Sequence, residues 1–420
     1  MNKLSTESYK GVRDFYPEDK FVQEYIFGKM RKVVEAFGYE EYDASILEPT
    51  DLYRAKSGEE LINEQVYNFE DRGGRDVTLR PEMTPTLARM VAKKKRDLGF
   101  PLRWYSIPNF FRYERPQKGR LREFWQLNAD VFGVEGIEAE VEIITMSYKI
   151  MRELGAVEKD FIIKINDRDF INFFLTDFNL SEEEKYKVTK IFDRKNKTEV
   201  SKFENEIEEI LGDKSNVFLN KISELENAEG KTPADIKNLM EKLEKAGITN
   251  VVFDPFLMRG LDYYTGIVFE VFDTNPDNNR AMFGGGRYDR LLEIFDGEKV
   301  PAFGFGMGDV TALEFLKSRD LIPEYISLTD LYLCILDEKY TEFTDDLAQA
   351  LRAQDINVVV DYSYKKIDKQ LKNADKKKVP FVICIGENEV KNDKFVLKRM
   401  VDGKEFEVSR GEIKTVIEKI

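Results

Sequence analysis

The sequence predicts an α+β protein organised in more than one domain, on three observations. Its 420 residues exceed what one hydrophobic core usually serves. Strand-like text around residues 104–133 and 266–273 is separated by a long helical stretch rich in Lys and Glu. Beyond about residue 328, strands and helices alternate, the pattern of a small α/β domain.

The first element is a helix from about Glu18 to Phe37. Val22, Tyr25, Ile26, Met30, Val33, Val34 and Phe37 recur at helical spacing, and Gly38 follows as a stop. Gly73-Gly74 lies between YNFE and DVTLRPE and predicts a hairpin turn. From Trp104 to Gly133 the text reads strand (WYSIPNFFRYE), basic loop (ERPQKGRLRE), strand (FWQLNADVF). Strand alternation puts Arg112 and Glu114 on one face of the first, and Gln126, Asn128 and Asp130 on one face of the second. Trp125, Leu127, Ala129 and Val131 point the other way. Such a polar face is either solvated or lines a site.

From about Asp167 to Lys245 the pattern is that of a mainly helical insertion. Thr232 as N-cap and Pro233 at the first helical position open a helix with a buried stripe of Ile236, Leu239, Met240 and Leu243, closed by Gly247. Gly266–Asp273 returns to strand alternation. FGGGRYDRLL and PAFGFGMGDV follow, both glycine-rich, and glycine allows close backbone approach. Neither matches a P-loop or a dinucleotide fingerprint.

A boundary falls near Pro323 to Thr329. Beyond it LYLCIL, NVVVDY and PFVICIG read as strands, EFTDDLAQALRAQ and SYKKIDKQLKNADKKK as helices, and FVLKRM with KEFEVS as a hairpin. The lysines from Lys365 to Lys378 make either a solvated helix face or an RNA contact.

Composition removes several chemistries. The chain has no histidine, so it can hold no Ser-His-Asp or Cys-His nucleophile system and no His-ligated zinc. Its two cysteines, Cys334 and Cys384, lie in apolar runs and read as buried thiols of a reducing, cytoplasmic location. No run approaches the roughly 18 apolar residues of a membrane span, and the first residues carry no secretory signal. The net charge of −14 disfavours a general nucleic-acid binder, so RNA would have to meet local basic patches.

The segments Gly11–Asp19 (GVRDFYPED), Thr78–Arg89 (TLRPEMTPTLAR), Phe110–Gly133, Arg259–Glu270 (RGLDYYTGIVFE) and Gly284–Asp289 (GGGRYD) together resemble class II aminoacyl-tRNA synthetases, and specifically the histidyl family. The resemblance spans nearly the whole chain, and the last pair is its most specific part. It implies a class II antiparallel-sheet catalytic core (residues 1–325) with a helical insertion (about 167–245) and a C-terminal α/β anticodon-binding domain (328–420). It also implies a homodimer and no membrane. The implied partners are histidine and tRNA(His), with ATP and Mg²⁺. The reaction makes histidyl-adenylate and transfers histidine to the tRNA. No protein nucleophile is needed, because the substrate supplies the attacking group.

Roles carry over by motif. Arg112 and Arg259 match arginines at the α-phosphate of ATP, the expected catalytic pair. Glu114 matches the residue near adenine and Arg120 a contact to the distal phosphates. Glu82, Thr84 and Gln126 match contacts to histidine's α-amino group; Asp130, Tyr264 and Tyr288 match its imidazole pocket. Gln117 lies in the loop that meets the tRNA acceptor end. The sequence departs from the family in four places: Asp130 stands where members commonly have Glu, Arg290 where a small residue usually follows GGRYD, and two more lie in the first and third motifs. Ser45 replaces a proline, and Gly306–Thr311 reads GMGDVT where most members read GMGLER, so Thr311 stands for an arginine. Arg290 or Arg287 is expected to supply part of that charge. A non-catalytic relative, the regulatory subunit of ATP phosphoribosyltransferase, is the alternative; it typically lacks the second motif and the arginine of RGLDYY. A plain RNA-binding module leaves both histidyl signatures unexplained.

Overall fold

The structure, a computed structural model, describes residues 4–54, 65–117, 119–194, 199–226, 232–258, 263–278, 281–295 and 297–419. The chain divides into two compact units, Met1–Ile322 and Pro323–Ile420.

The first unit opens with helix α1 (Pro17–Ala36). Pro17 sits in the first turn, where its missing N–H costs no bond. Ile26, Phe27, Met30, Val33 and Val34 form the buried stripe, and Gly38, at φ +79°, ends the helix. After β1 (Glu40–Glu41), the strands β2 (Leu47–Pro49), β3 (Tyr67–Glu70) and β4 (Asp76–Leu79) form a small antiparallel sheet, with α2 (Thr50–Arg54) following β2. The β3–β4 turn is the expected hairpin: Asp71 accepts from Gly73 N and Arg75 N, and Gly74 takes φ +74°.

Helix α3 (Thr84–Lys94), β5 (Leu102–Ser106), β6 (Asn109–Phe111), β7 (Glu123–Phe132), α4 (Glu138–Glu153) and β8 (Phe161–Asp167) follow. The stretch expected as one strand from Trp104 to Glu114 is broken at Ile107-Pro108, because Pro108 has no N–H for the ladder. It also stops at Phe111, so Arg112 and Glu114 belong to a loop rather than to one strand face. Helices α5 (Arg168–Thr176), α6 (Glu182–Arg194), α7 (Val200–Leu211), α8 (Ser215–Glu226) and α9 (Ala234–Lys245) fill the helical stretch. Phe174, Val188, Phe192, Phe203, Ile207 and Phe218 form a core of their own there. Helix α9 is different: Ile236, Leu239 and Leu243 join the main core. Pro233, rather than Thr232, is its N-cap residue, and no side chain caps it.

The strands β9 (Val251–Phe253), β10 (Ile267–Asp273), β11 (Ala281–Arg287) and β12 (Ala302–Gly308) complete the large sheet, and α10 (Asp309–Lys317) leaves it. Its path is β1-β5-β7-β12-β11-β10-β8-β9, with β6 paired to the start of β7. The central pairs are antiparallel; β1–β5 and β8–β9 are parallel. One face carries Leu127, Ala129, Val131, Phe269, Phe303 and Phe305 against α1, α4, α9 and α10. Each such aromatic contributes roughly 1.5–3 kcal/mol by leaving water. The opposite face is left for side chains and glycines. The architecture is therefore α+β, with a large antiparallel-rich sheet.

The second unit runs β13 (Leu331–Ile335), α11 (Thr341–Arg352), β14 (Val358–Asp361), α12 (Ile367–Lys376), β15 (Phe381–Ile385), α13 (Glu387–Asn392), β16 (Lys394–Arg399), β17 (Glu405–Ser409) and α14 (Ile413–Lys419). Its sheet order is β14-β13-β15-β16-β17; β13 is parallel to both neighbours and β16–β17 is the expected hairpin. Cys334 and Cys384 face each other in register as free thiols, the first buried and the second half-buried. Lys365, Lys366, Lys369, Lys372 and Lys376 are all exposed.

Candidate active site

The register of the large sheet assembles the site. Gln126, Asn128 and Asp130 of β7 stand opposite Gly308, Gly306 and Gly304 of β12, and Gly306 and Gly304 in turn stand opposite Gly284 and Gly286 of β11. These residues therefore share the face turned away from the main core. A Cβ on Gly306 would lie 1.8 Å from Gln126 Nε2, and one on Gly304 2.0 Å from Asp130 Oδ1. On Gly286 it would lie 2.7 Å from Tyr264. The glycines thus let Gln126, Asp130 and Tyr264 lie flat across the neighbouring strands. That is the chemical use of the two glycine-rich stretches.

At one end of this shelf, Tyr288 donates its hydroxyl to Asp130 Oδ1 in a short hydrogen bond. Asp130 is 3% exposed, and its Oδ2 has no partner among the described residues. Burial pushes the Asp130 carboxyl up to about 7, against the lowering pull of the Tyr288 hydroxyl. The Tyr263, Tyr264 and Tyr288 rings pack together at 5.1 and 5.9 Å. Tyr263 donates to Glu82 at 2.9 Å, and burial followed by the Glu82 charge holds its phenol well above the usual range. Glu82 is itself buried, two residues before α3, and Thr84 is half-buried in that helix's first turn. The structure brings Glu82, Gln126, Asp130, Tyr264 and Tyr288 onto or beside one surface.

The basic loop stands at the strand's other end. Arg112 donates through Nε to the Pro81 carbonyl at 2.9 Å, and its guanidinium lies 5.4 Å from the Phe124 ring. Glu114 and Arg120 are paired with each other at 3.3 Å, and the Arg120 side chain is half exposed. Such a pair is weak and opens easily. Gln117 and Arg120 exchange backbone hydrogen bonds at the exposed loop tip, where Gly119 takes φ +78°. Arg259 lies outside the described residues. The segment entering it is held by Asn166, which donates to the Pro255 and Leu257 carbonyls, both at 3.1 Å.

The structure corrects the expectation for Arg287. Its side chain is on the helix-covered face, where Nε and Nη2 both meet Glu140 of α4 at 2.6 Å. A guanidinium committed to a buried carboxylate cannot replace the charge missing at Thr311. Thr311 donates its hydroxyl to the Met282 and Gly308 carbonyls and offers no charge either. Arg290 is exposed and pairs with Glu293. Sequence reasoning missed Tyr263 as the partner of Glu82, Asn166 as the anchor of the segment before Arg259, and Asp309 as a buried carboxylate. Only Asp309 gave a signal, as a charged residue in an otherwise apolar strand-to-helix junction.

Residues 11–313 match the family described as Histidyl-tRNA synthetase. The chain belongs to that family. Residues 330–420 match the family described as Anticodon binding domain. Histidine–tRNA ligase of Leptospira biflexa is 42% identical over 422 residues, covering 98% of this chain and 97% of that one. The crystal structure of histidyl-tRNA synthetase from Nostoc sp. PCC 7120 superposes with a TM-score of 0.77 at 23% identity, over 99% of both chains. A protein from Bacillus halodurans, described as an ATP phosphoribosyltransferase regulatory subunit/histidyl-tRNA synthetase, superposes at 0.72 with 24% identity over 92% of this chain and all of its own. Those two likenesses show the fold, which the synthetases and the regulatory relative share. The histidyl-tRNA synthetase family is fixed by the sequence matches. Among the described residues no group of three or more His, Cys, Asp or Glu is spaced to hold a metal ion.

Proposed function

We propose that this chain is a histidine–tRNA ligase that activates histidine with ATP and transfers it to the 3′ end of tRNA(His). The observation that carries the reading is the shelf of β7. One strand face presents Gln126 and Asp130 over glycines, with Glu82 beside it and Arg112 held at its end. Glu82, Thr84 and Gln126 hold the α-amino group of histidine. Asp130, Tyr264 and Tyr288 hold the imidazole, a polar ring that leaves costly unpaired groups if another side chain enters. The histidine carboxylate oxygen attacks the α-phosphorus of ATP, the bond to the β-phosphate oxygen breaks, and pyrophosphate leaves. Arg112, its outer guanidinium edge unpartnered among the described residues, and Arg259 neutralise the charge on the α-phosphate, and Glu114 and Arg120 hold adenine and the distal phosphates. The tRNA ribose hydroxyl then displaces AMP from the carbonyl carbon, with Gln117 in the loop that meets the acceptor end.

Mg²⁺ would enter with ATP as the counter-ion of its phosphates, and no step is assigned to it. Residues 1–325 act as the catalytic domain and 328–420 as the anticodon-binding domain. The protein works in the cytoplasm as a homodimer; the exposed apolar Leu47 and Phe69 on the small sheet suit a partner surface. No described helix is long and apolar enough to cross a membrane.

The regulatory reading draws on the departures at Ser45 and Thr311. Exchange of labelled pyrophosphate into ATP separates the two. Exchange that needs histidine, and no other amino acid, establishes activation and shows that Thr311 is tolerated. Histidine binding without exchange moves the chain to the regulatory role.

A further inference from the structure

We infer that the segment Tyr9–Arg13 is a positioning strap for the loop Arg112–Glu123, fastened to that loop through Arg122 and to the helix α10 through Asp309. The inference rests on reading that loop as the ATP-binding loop.

The fastening at the loop is dense. The Gly11 carbonyl accepts from Arg122 N at 2.7 Å. Gly11 has φ +88°, and a Cβ there would stand 2.8 Å from Arg122 Cγ and 2.9 Å from Pro116 Cγ. Glycine alone allows this backbone conformation and this approach together. The Arg122 guanidinium lies over the Tyr113 ring at 4.0 Å and the Tyr9 ring at 5.5 Å. It donates to the Tyr9 hydroxyl at 2.9 Å and, through Nε, to the Glu114 carbonyl at 3.2 Å. Tyr113 is in turn edge-on to Tyr67 at 5.5 Å, and its N–H donates to the Gln65 carbonyl. One arginine thus links the strap to the backbone of Glu114.

The other end is held by a charge pair whose carboxylate is buried. Arg13 donates to Asp309 at 2.7 Å, with side chains 21% and 3% exposed. Asp309 also accepts from the backbone N–H of Trp125, the third residue of β7. Phe15 meets the Trp125 ring edge-on at 5.3 Å. Asp309 lies two residues before Thr311, at the start of helix α10. The strap and β7 therefore share one anchor, and the loop between β6 and β7 is fixed at both ends.

Arg122 acts through Glu114 and the loop backbone, so in the activation step its effect falls on ATP rather than on histidine. In the full-length protein, Arg122→Lys keeps the charge but loses the planar stacking and the second hydrogen bond. The expected result is ATP binding weakened roughly fivefold to tenfold, from the lost cation–π and charged hydrogen-bond contributions. Tyr9→Phe weakens it about threefold or less by removing one hydroxyl acceptor. Histidine affinity and the melting temperature stay at wild-type values in both, and the Arg122 amide exchanges its hydrogen faster. Unchanged ATP affinity in Arg122→Lys overturns the inference, as does a parallel loss of ATP affinity, histidine affinity and melting temperature. Amide exchange needs no ligand, so unchanged exchange at Arg122 in both variants overturns the strap independently. The proposed reaction fails on a different result: a wild-type chain that binds both ligands and exchanges no pyrophosphate.

Discussion

Asp130 shows how one residue can be named from sequence and still hold a surprise. Its strand face was legible from alternation, and its proposed place in an imidazole pocket comes from the motif. What the sequence did not carry is that the short carboxylate is enclosed, with one oxygen on Tyr288 and the other without a partner among the described residues. Its folded pKa, about 7, lies above the unfolded value near 3.9. The folded state therefore binds this proton more tightly than the unfolded state. The stability it contributes is fully present below about pH 4 and is lost as pH rises through about 7. Asp130→Asn is expected to be more stable than wild type at pH 8, by roughly 1–3 kcal/mol, with the difference vanishing toward pH 4. Denaturant titrations at the two pH values measure it; a pH-independent difference would show that Asp130 is not the group responsible. Histidine affinity falls in the same variant because the acceptor becomes an amide.

Among the elements, β12 decides most about the site while contributing no reactive group. Gly304 and Gly306 leave room for Asp130 and Gln126 to lie across it. A methyl group at Gly306 meets the far end of a flexible side chain rather than backbone, so the strand tolerates it and Gln126 swings away. Gly306→Ala is expected to raise the KM for histidine about tenfold or more, the loss of one charged hydrogen bond, with the KM for ATP and the melting temperature little changed. Pyrophosphate exchange against each substrate reads the split, and equal losses for both would argue for a distorted strand. The loop between β6 and β7 is the opposite case. Its basic composition was legible, but its path was misread as strand because alternation continues in the text past Phe111. The backbone leaves the ladder after the Arg112 N–H bonds to the Arg122 carbonyl, a long-range choice no local window contains.

For the whole molecule, the two compact units have separate cores: Leu331, Leu347, Ile383 and Leu397 belong to the second, and Ile143, Leu239 and Phe303 to the first. A chain ending at Ile322 is therefore expected to fold and to retain histidine-dependent pyrophosphate exchange within about tenfold of the full protein, while charging of tRNA falls much further. Loss of both activities together with the melting transition would mean that the first unit depends on the second. With a net charge of −14 a tRNA contact is expected to be local, and the exposed lysines of α12 mark one place where a basic face exists.

By itself the sequence determined the α+β class, the helical stretch, the alternating C-terminal unit, the polar face of β7 and the histidyl motifs. These depend on periodicity, on breakers and on short segments, which are local properties. Only the tertiary structure decided that α9 belongs to the main core, that Arg287 is spent on Glu140, that Tyr263 holds Glu82, and that Arg13 finds Asp309. Each of these brings together residues far apart in the chain, and for Arg287 the partner is set by which face of the sheet its side chain reaches. Strand register fixes that, because a shift of one residue moves every side chain to the other face.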